Sequence, residues 1–263
     1  MTKIAVVTGG SSGIGLCTAK ALRDSGCRVY ELSRHDGKTD GILHITVDVT
    51  DENQVISAAK QIYDSEGRVD IVINNAGFGL SGAVEFTDTA EAQRQFDVNF
   101  FGMVRVNHAF LPILRKQGAG RIVSISSVAA PVAIPFQAYY SASKAAINAY
   151  TMALSNEMRP YGITVCAVMP GDIQSGFTAA RAKAIAGDDA YGGRISRSVA
   201  VMERDELGGM SPNVAGRFIC RLALKRSAKP LRTIGLQYQF IVLLTKLLPC
   251  RILNRLVGMI YAR

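Results

Sequence analysis

The fold of this chain is decided at Thr8-Gly9-Gly10-Ser11-Ser12-Gly13-Ile14-Gly15, which joins an apolar run at residues 4–8 to a helical pattern that begins at Gly13. Gly9 permits a tight turn, Gly13 lets backbone approach a ligand closely, and Gly15 allows the helix to pack near the strand. The helix begins with free N–H groups and the positive end of its dipole, which bind phosphates. The stretch therefore predicts a dinucleotide pyrophosphate site.

Short apolar runs alternate with longer amphipathic stretches on both sides of this turn. Strands are predicted at residues 4–8, 28–32, 43–47, 71–74, 122–126, 164–169 and 232–235. Helices are predicted at residues 13–25, 52–66, 90–117, 138–161 and 212–226. Regular alternation of this kind indicates right-handed crossovers, and so an α/β fold with one doubly wound parallel sheet and helices on both faces. Ligands of such sheets bind beyond the carboxyl ends of the strands.

The length of 263 residues suits one large domain. We expect a catalytic domain over residues 1–233 and a basic, amphipathic C-terminal helical extension over residues 234–263 that belongs to the same domain. Residues from about 175 to 210 are rich in Gly, Ala and charge and show no strand pattern. Because this segment follows a strand end, we expect it to form an irregular lid over the substrate, with a passive surface loop as the alternative.

Charge and composition restrict the classes of partner. The net charge is +9, and no Asp or Glu follows Glu206. No nucleic-acid motif accompanies the basic segment, so we expect no nucleic-acid partner. The five cysteines and three histidines have no ligand spacing, so reduced thiols and no metal are expected. The amino terminus shows no signal-peptide pattern, which predicts a cytoplasmic protein.

The end of the extension has an amphipathic pattern. Beyond Pro249, Arg251 and Arg255 share one helical face, and Ile252 and Leu256 lie on the other. Such a helix is expected to rest on an anionic membrane surface, as a peripheral contact, or to close over the substrate pocket. Packing on the domain or on a partner subunit of a homo-oligomer is the alternative.

Tyr140 and Lys144 are candidate proton-transfer residues. They are four apart in the helical pattern and therefore share one face, about 6 Å apart along the axis. A phenol titrates near about 10 when unperturbed, and a nearby ammonium is expected to lower its pKa. Tyr139 is adjacent, and spacing alone selects Tyr140.

Ser127 is a candidate for orienting the substrate. It follows the strand predicted at residues 122–126, where its hydroxyl can hold the substrate oxygen and stabilise developing negative charge. Its neighbour Ser126 faces the opposite way on the strand.

These motifs together resemble the short-chain dehydrogenase/reductase family, whose phosphate loop is T-G-x-x-x-G-I-G. The resemblance covers about residues 2–175 and continues through these segments, in the order of the family: Asn74-Asn75-Ala76-Gly77, Asn99, Ser127, Tyr140-x-x-x-Lys144 and Pro170-Gly171. It implies a Rossmann-type fold and an NAD(P)-dependent oxidoreductase acting on CH–OH groups. Tyr140 is implied as acid/base and Lys144 as the residue that also holds the nicotinamide ribose. Asn99 is implied to support the proton relay.

The resemblance also implies the cofactor contacts. Residues implied at the phosphate loop, the adenine side and the nicotinamide side are Gly9, Ser11, Ser12, Gly13, Ile14, Gly15, Asp48, Val49, Asn75, Ala76, Gly77, Tyr140, Lys144, Pro170, Gly171, Ile173 and Ser175. At the end of the second strand, where NAD-binding relatives carry an acidic residue, this chain has Ser33 followed by Arg34. A guanidinium can hold a 2′-phosphate that a carboxylate would repel, which predicts NADP(H).

The substrate is predicted less sharply. Flanking the catalytic groups are the candidate pocket residues Ser127, Phe78, Leu80, Val132, Phe136, Met169 and Phe177. They are nearly all apolar, which suits a bulky hydrophobic ketone or secondary alcohol. The resemblance is to the hydroxysteroid and retinol dehydrogenase branch, which implies a hydroxysteroid dehydrogenase. An acyl-glycerone-phosphate or retinal-type reductase is the alternative enzyme, and a non-catalytic NADPH-binding sensor or scaffold is the alternative of another class.

Overall fold

A parallel sheet of seven strands forms the centre of the protein. The computed structural model describes residues 1–176, 181–184 and 186–262. The sheet has the order β3-β2-β1-β4-β6-β7-β9. Its strands are β1 (Ile4–Thr8), β2 (Arg28–Ser33), β3 (Ile42–Thr46), β4 (Ile71–Asn74), β6 (Gly120–Ile125), β7 (Ile163–Met169) and β9 (Leu231–Thr233). A separate parallel pair joins β5 (Leu80–Gly82) to β8 (Ala182–Ala184). This is the predicted doubly wound Rossmann-type fold.

Helices cover both faces of the sheet. Their bounds are α1 (Gly13–Asp24), α2 (Glu52–Glu66), α3 (Thr89–Phe96), α4 (Gly102–Gln117), α5 (Ala138–Met158), α6 (Arg194–Leu207), α7 (Pro212–Leu224), α8 (Leu236–Leu247) and α9 (Cys250–Tyr261). Successive side chains of β1 pack into two different hydrophobic cores, one on each face of the sheet. Val6 packs in the core beneath α2 and α4, while Ala5 and Val7 pack in the core beneath α1 and α7. A strand buried on both faces reads as a continuous apolar run, as residues 4–8 do.

The order of the strands along the sheet reverses at β1, and this reversal determines where a ligand site can form. β1 pairs with β2 on one side and with β4 on the other. Connections that leave β1 in opposite directions open a crevice beyond its carboxyl end. The glycine turn that follows Thr8 lies in this crevice.

Two predicted elements differ from the structure. The helix predicted over residues 90–117 is interrupted by a π-helical turn, Asp97–Phe101, between α3 and α4. Such turns are concentrated at functional sites. The segment from about 175 to 210, predicted to be irregular, contains β8 and α6. Met202 and Glu206 of α6 line the main cavity, so this segment borders the substrate side of the crevice.

The extension forms α8 and α9. Within residues 1–176, 181–184 and 186–262, no helix combines the length and the apolar character needed to cross a bilayer. Tyr238 of α8 packs over Gly171, where an added Cβ would lie 2.2 Å from the ring. Its hydroxyl donates to the Asp172 carboxylate at 2.8 Å. The extension is therefore anchored directly to the segment that follows β7.

Candidate active site

A cavity of about 850 Å³ runs from the glycine turn to α5. It unites nearly all of the predicted cofactor residues. Those that line it are Gly9, Ser11, Ser12, Gly13, Ile14, Ser33, Arg34, Asp48, Val49, Asn75, Ala76, Gly77, Tyr140, Lys144, Pro170, Gly171, Ile173 and Ser175. Gly15 lies outside the wall of the cavity.

The glycine turn has the conformation that a phosphate cradle needs. Gly9 and Gly13 have φ of +62° and +53°, a region that residues with a Cβ rarely adopt. Ser12 caps α1 without a side-chain hydrogen bond to the helix, so its hydroxyl does not occupy the first N–H groups. An added Cβ on Gly15 would lie 2.1 Å from the Gly9 carbonyl oxygen. Gly13 and Ser12 thus face the ligand, whereas Gly15 supports the turn from behind.

Asn75 fastens the turn to the end of β4. Its Nδ2 donates to the carbonyl oxygens of Thr8 and Gly9 at 3.0 and 3.1 Å. In return, the Thr8 hydroxyl accepts the N–H groups of Asn75 and Ala76. The side chain of Asn75, a residue predicted to contact the cofactor, therefore fixes the shape of the phosphate turn.

The adenosine end of the cavity carries an exposed cation, Arg34. Arg34 is solvent-exposed and lines the wall beside Ser33 and Asp48. Burial raises the pKa of Asp48, but two hydrogen bonds from Thr50 and the nearby Arg34 outweigh it and leave that pKa below its usual value. Glu31 does not line this cavity, and its carboxylate pairs with His44. The carboxylate of Asp48 therefore lies near Arg34 at this end of the wall.

Tyr140 and Ser127 meet at the other end. A hydrogen bond between them lowers the pKa of Tyr140, but burial dominates and raises it to about 12. The expected lowering by Lys144 does not offset the burial: the Lys144 Nζ lies 5.6 Å from the centroid of the tyrosine ring and donates to the Ile125 carbonyl oxygen at 2.8 Å. The phenol is therefore protonated at neutral pH, the form that a proton donor requires. Tyr139 is not part of the cavity wall.

Lys144 and Asn99 form the layer behind Tyr140. Burial lowers the pKa of Lys144 to about 8. Asn99 lies in the π-helical turn, outside the cavity wall, where its Oδ1 accepts from the Phe78 N–H at 2.9 Å and its Nδ2 donates to the Phe78 carbonyl oxygen at 3.0 Å. An added Cβ on Gly77 would lie 3.0 Å from Asn99 Oδ1 and 3.7 Å from Lys144 Nζ. Asn99 thus lies close to Lys144, and its side chain fixes the backbone of Phe78 in the cavity wall.

Known proteins resemble this chain in sequence and in fold. A family model described as short chain dehydrogenase matches residues 3–186. The chain belongs to the short-chain dehydrogenase family. It is 39% identical over 234 residues to a 3-ketodihydrosphingosine reductase of Bacteroides thetaiotaomicron, spanning 88% of this chain and 87% of the relative.

Solved structures agree with the family. A short-chain dehydrogenase of Streptomyces avermitilis superposes with a TM-score of 0.84 at 27% identity, covering 92% of this chain and 91% of the other. ElxO, solved with NADP bound, superposes with a TM-score of 0.77 at 25% identity, covering 91% of this chain and all of the other, 100%. The dehydrogenase is therefore an NAD(P)-dependent oxidoreductase that acts on ketone and alcohol groups.

Most of the predicted substrate residues lie away from the cavity. Of these side chains Phe78 lines it, as does Ser127. Leu80 is buried in β5, Met169 is buried in β7 beside Asn148, and the Phe136 ring packs edge-to-face against Tyr191 with the ring centroids 6.0 Å apart. Val132 also lies outside the wall. The structure thus places these four side chains outside the cavity wall, and their contact with a substrate stays a prediction.

Phe177, the remaining predicted substrate residue, lies outside the described residues of the dehydrogenase. Nothing further is assigned to it.

The substrate end contains charged groups that the sequence did not indicate. Glu206 lines the cavity and pairs with Arg181, whose side chain is 0% exposed. Arg94 and Tyr261 also line it. The sequence signal for Glu206 and Tyr261 was weak because α6 and α9 lie far along the sequence from the catalytic motifs. The pocket is thus less uniformly apolar than predicted.

One acidic cluster lies apart from this site. Ligand atoms of Glu31, Asp36 and His44 lie within 4.8 Å of one another. Glu31 pairs with the His44 ring, and the other ring nitrogen of His44 contacts the Thr46 hydroxyl at 2.9 Å. The Glu31–His44 hydrogen bond joins the side chains of β2 and β3.

Replacing Gly15 with Ala should destabilise the dehydrogenase. The new methyl group would overlap the Gly9 carbonyl, and overpacking of this kind costs about 1–3 kcal/mol. We expect a lower Tm and weaker nucleotide binding, measured by thermal unfolding with and without NADPH. Gly258→Ala is the matched control, since that helical glycine has nothing within 4 Å of an added Cβ. Equal Tm values for the two variants would contradict the supporting role of Gly15.

Proposed function

We propose that this dehydrogenase uses NADPH to reduce the ketone of a long-chain lipid to a secondary alcohol. The observation that carries the proposal is that one cavity joins the phosphate turn to Tyr140, Ser127 and Lys144. A nucleotide site next to a proton donor and a hydroxyl anchor is the set of groups that carbonyl reduction needs. The presence of all these groups in one cavity favours an enzyme over a non-catalytic sensor or scaffold.

The residues divide the chemistry between them. Bound nicotinamide supplies the hydride that reaches the carbonyl carbon. Ser127 holds the carbonyl oxygen, and Tyr140, protonated at neutral pH, gives that oxygen its proton. Lys144 remains largely charged near neutral pH, with a pKa of about 8, and lies where it can hold the nicotinamide ribose. Asn99 keeps the wall beside the lysine in place.

NADP(H) is favoured over NAD(H) by the adenosine end. Arg34 is exposed at the cavity wall, where its guanidinium can bind a 2′-phosphate. Ser11 and Ser12 lie on the same wall and can add hydroxyl contacts. The likeness to ElxO, which was solved with NADP, supports this choice.

A lipid ketone is favoured by the substrate end and by the relative. Phe78, Ile134 and Met202 give the wall apolar surface, and Glu206 and Arg94 add polar groups. The relative from Bacteroides thetaiotaomicron is a 3-ketodihydrosphingosine reductase, and this name indicates a long-chain substrate with a ketone. We therefore place a keto lipid of this type ahead of the ketosteroid that the branch resemblance suggested.

Turnover of a substrate panel tests the proposal. We expect NADPH absorbance to fall fastest with 3-ketodihydrosphingosine, and more slowly with a ketosteroid, retinal or an acyl-glycerone phosphate. Each assay is repeated with NADH, for which slower turnover is expected. NADPH binding without oxidation of any panel member would contradict catalysis. Preference for the ketosteroid would restore the hydroxysteroid dehydrogenase hypothesis.

A further inference from the structure

The extension presents an uncovered apolar surface, formed by one side of α8 and one side of α9. On α8, Leu236, Phe240, Leu243 and Leu247 recur at helical spacing and so share one side. They are 84%, 61%, 48% and 69% exposed. The opposite side of α8 is anchored, because Tyr238 packs over Gly171. The apolar stripe therefore points away from the domain.

α9, the next helix, also exposes apolar side chains. Its inward side holds the buried Val257, while Ile252, Leu256, Met259 and Ile260 are exposed. Arg251 and Arg255 are exposed one turn apart along the edge of these apolar side chains. We call the exposed apolar residues of α8 and α9, with Lys246, Arg251 and Arg255, the extension surface.

Large contiguous apolar patches rimmed by polar groups mark interaction sites. We propose that the extension surface docks the dehydrogenase on an anionic lipid bilayer, lying in its interface without crossing it. The apolar stripes enter the boundary between headgroups and acyl chains, while Lys246, Arg251 and Arg255 meet the anionic headgroups.

The charge pattern of the extension favours an anionic bilayer over a second copy of the chain as the partner of this surface. No Asp or Glu occurs anywhere in residues 207–263. Self-pairing of the extension surface would bring cations of two copies together without a compensating acid, which is unfavourable. An anionic bilayer supplies both the apolar interior and the negative charge.

Docking would also bring the cavity close to the bilayer. α9 contributes Tyr261 to the cavity wall, while the preceding residues Met259 and Ile260 belong to the extension surface. The same helix thus touches both. Access of a lipid ketone from the bilayer to this cavity rests on the proposed function, whereas docking itself does not.

Vesicle flotation of the full chain tests the proposal. We expect flotation with vesicles of phosphatidylcholine and phosphatidylglycerol, weaker flotation with phosphatidylcholine alone, and loss at high salt. Phe240→Ser should weaken binding about tenfold, because a large apolar side chain no longer leaves water. Ile56→Ser is the matched control, since Ile56 is 50% exposed on α2, outside the extension surface.

A second pair of variants tests the charges. Arg251→Glu with Arg255→Glu should abolish the preference for anionic vesicles, whereas Lys20→Glu with Lys116→Glu should not. Docking would be overturned if the unaltered chain failed to float with the vesicles. It would also be overturned if the variants of the extension surface floated as well as the control variants. A loss of oligomer mass in Phe240→Ser with unchanged flotation would assign the surface to contacts between copies. NADPH oxidation with a water-soluble ketone, measured in parallel, reports the proposed function separately.

Discussion

Replacing Tyr140 with Phe should lower turnover about 10²- to 10⁴-fold, the usual contribution of a positioned proton donor. The substitution removes the hydroxyl that hydrogen-bonds Ser127 and leaves the ring in its place. Because the ring fills the same space, the nucleotide cavity should keep its shape. We therefore expect NADPH to bind as before, measured by the fluorescence of reduced nicotinamide, while kcat collapses.

Tyr139→Phe is the control for this result. Tyr139 precedes the donor on α5 but does not line the cavity. Its loss should leave kcat within a small factor of the unaltered chain. If Tyr139→Phe abolished turnover and Tyr140→Phe did not, the assignment of the proton donor would be wrong. Weak nucleotide binding by both variants would instead indicate a folding defect.

Replacing Arg34 with Asp should reverse the cofactor preference. A charge-assisted hydrogen bond contributes about 1.5–3 kcal/mol, so its loss alone should cost NADPH about 10- to 100-fold in kcat/KM. The new carboxylate would repel the 2′-phosphate further and could accept the ribose hydroxyls of NADH. The measurement is the ratio of kcat/KM with NADPH to that with NADH.

Lys20→Asp separates this effect from a general change in charge. It introduces the same change in net charge at an exposed position of α1 that does not line the cavity. The NADPH preference should survive in this variant. Survival of the preference in Arg34→Asp as well would show that another group holds the 2′-phosphate.

Local patterns were enough to predict the sheet and the catalytic end of the site. The glycine turn, the strand over residues 71–74 and the helix over residues 52–66 have the predicted bounds. Tyr140 was distinguished from Tyr139 by its four-residue spacing to Lys144, and that spacing places Tyr140 on the cavity wall. Helical and strand periodicity carry this information because both are properties of neighbouring residues.

The substrate end could not be predicted in the same way. Leu80 and Met169 are close in sequence to cavity residues, but both side chains are buried in strands outside the wall. Conversely, Glu206 and Tyr261 reach the cavity only because α6 and α9 pack across it. Such contacts depend on tertiary packing between distant segments, which no local pattern encodes. The pKa of Tyr140 is a further case, since burial by the whole fold outweighs the neighbouring lysine.

The fit of Tyr238 over Gly171 has a consequence for engineering. A side chain at position 171 would collide with the ring, and a different residue at position 238 would leave the backbone after β7 uncovered. The two positions must therefore be exchanged together in any chimera that swaps the extension between homologues. Transplanting residues 234–263 alone onto a scaffold with a larger residue at position 171 should yield a misassembled nicotinamide pocket, even where each parent folds well.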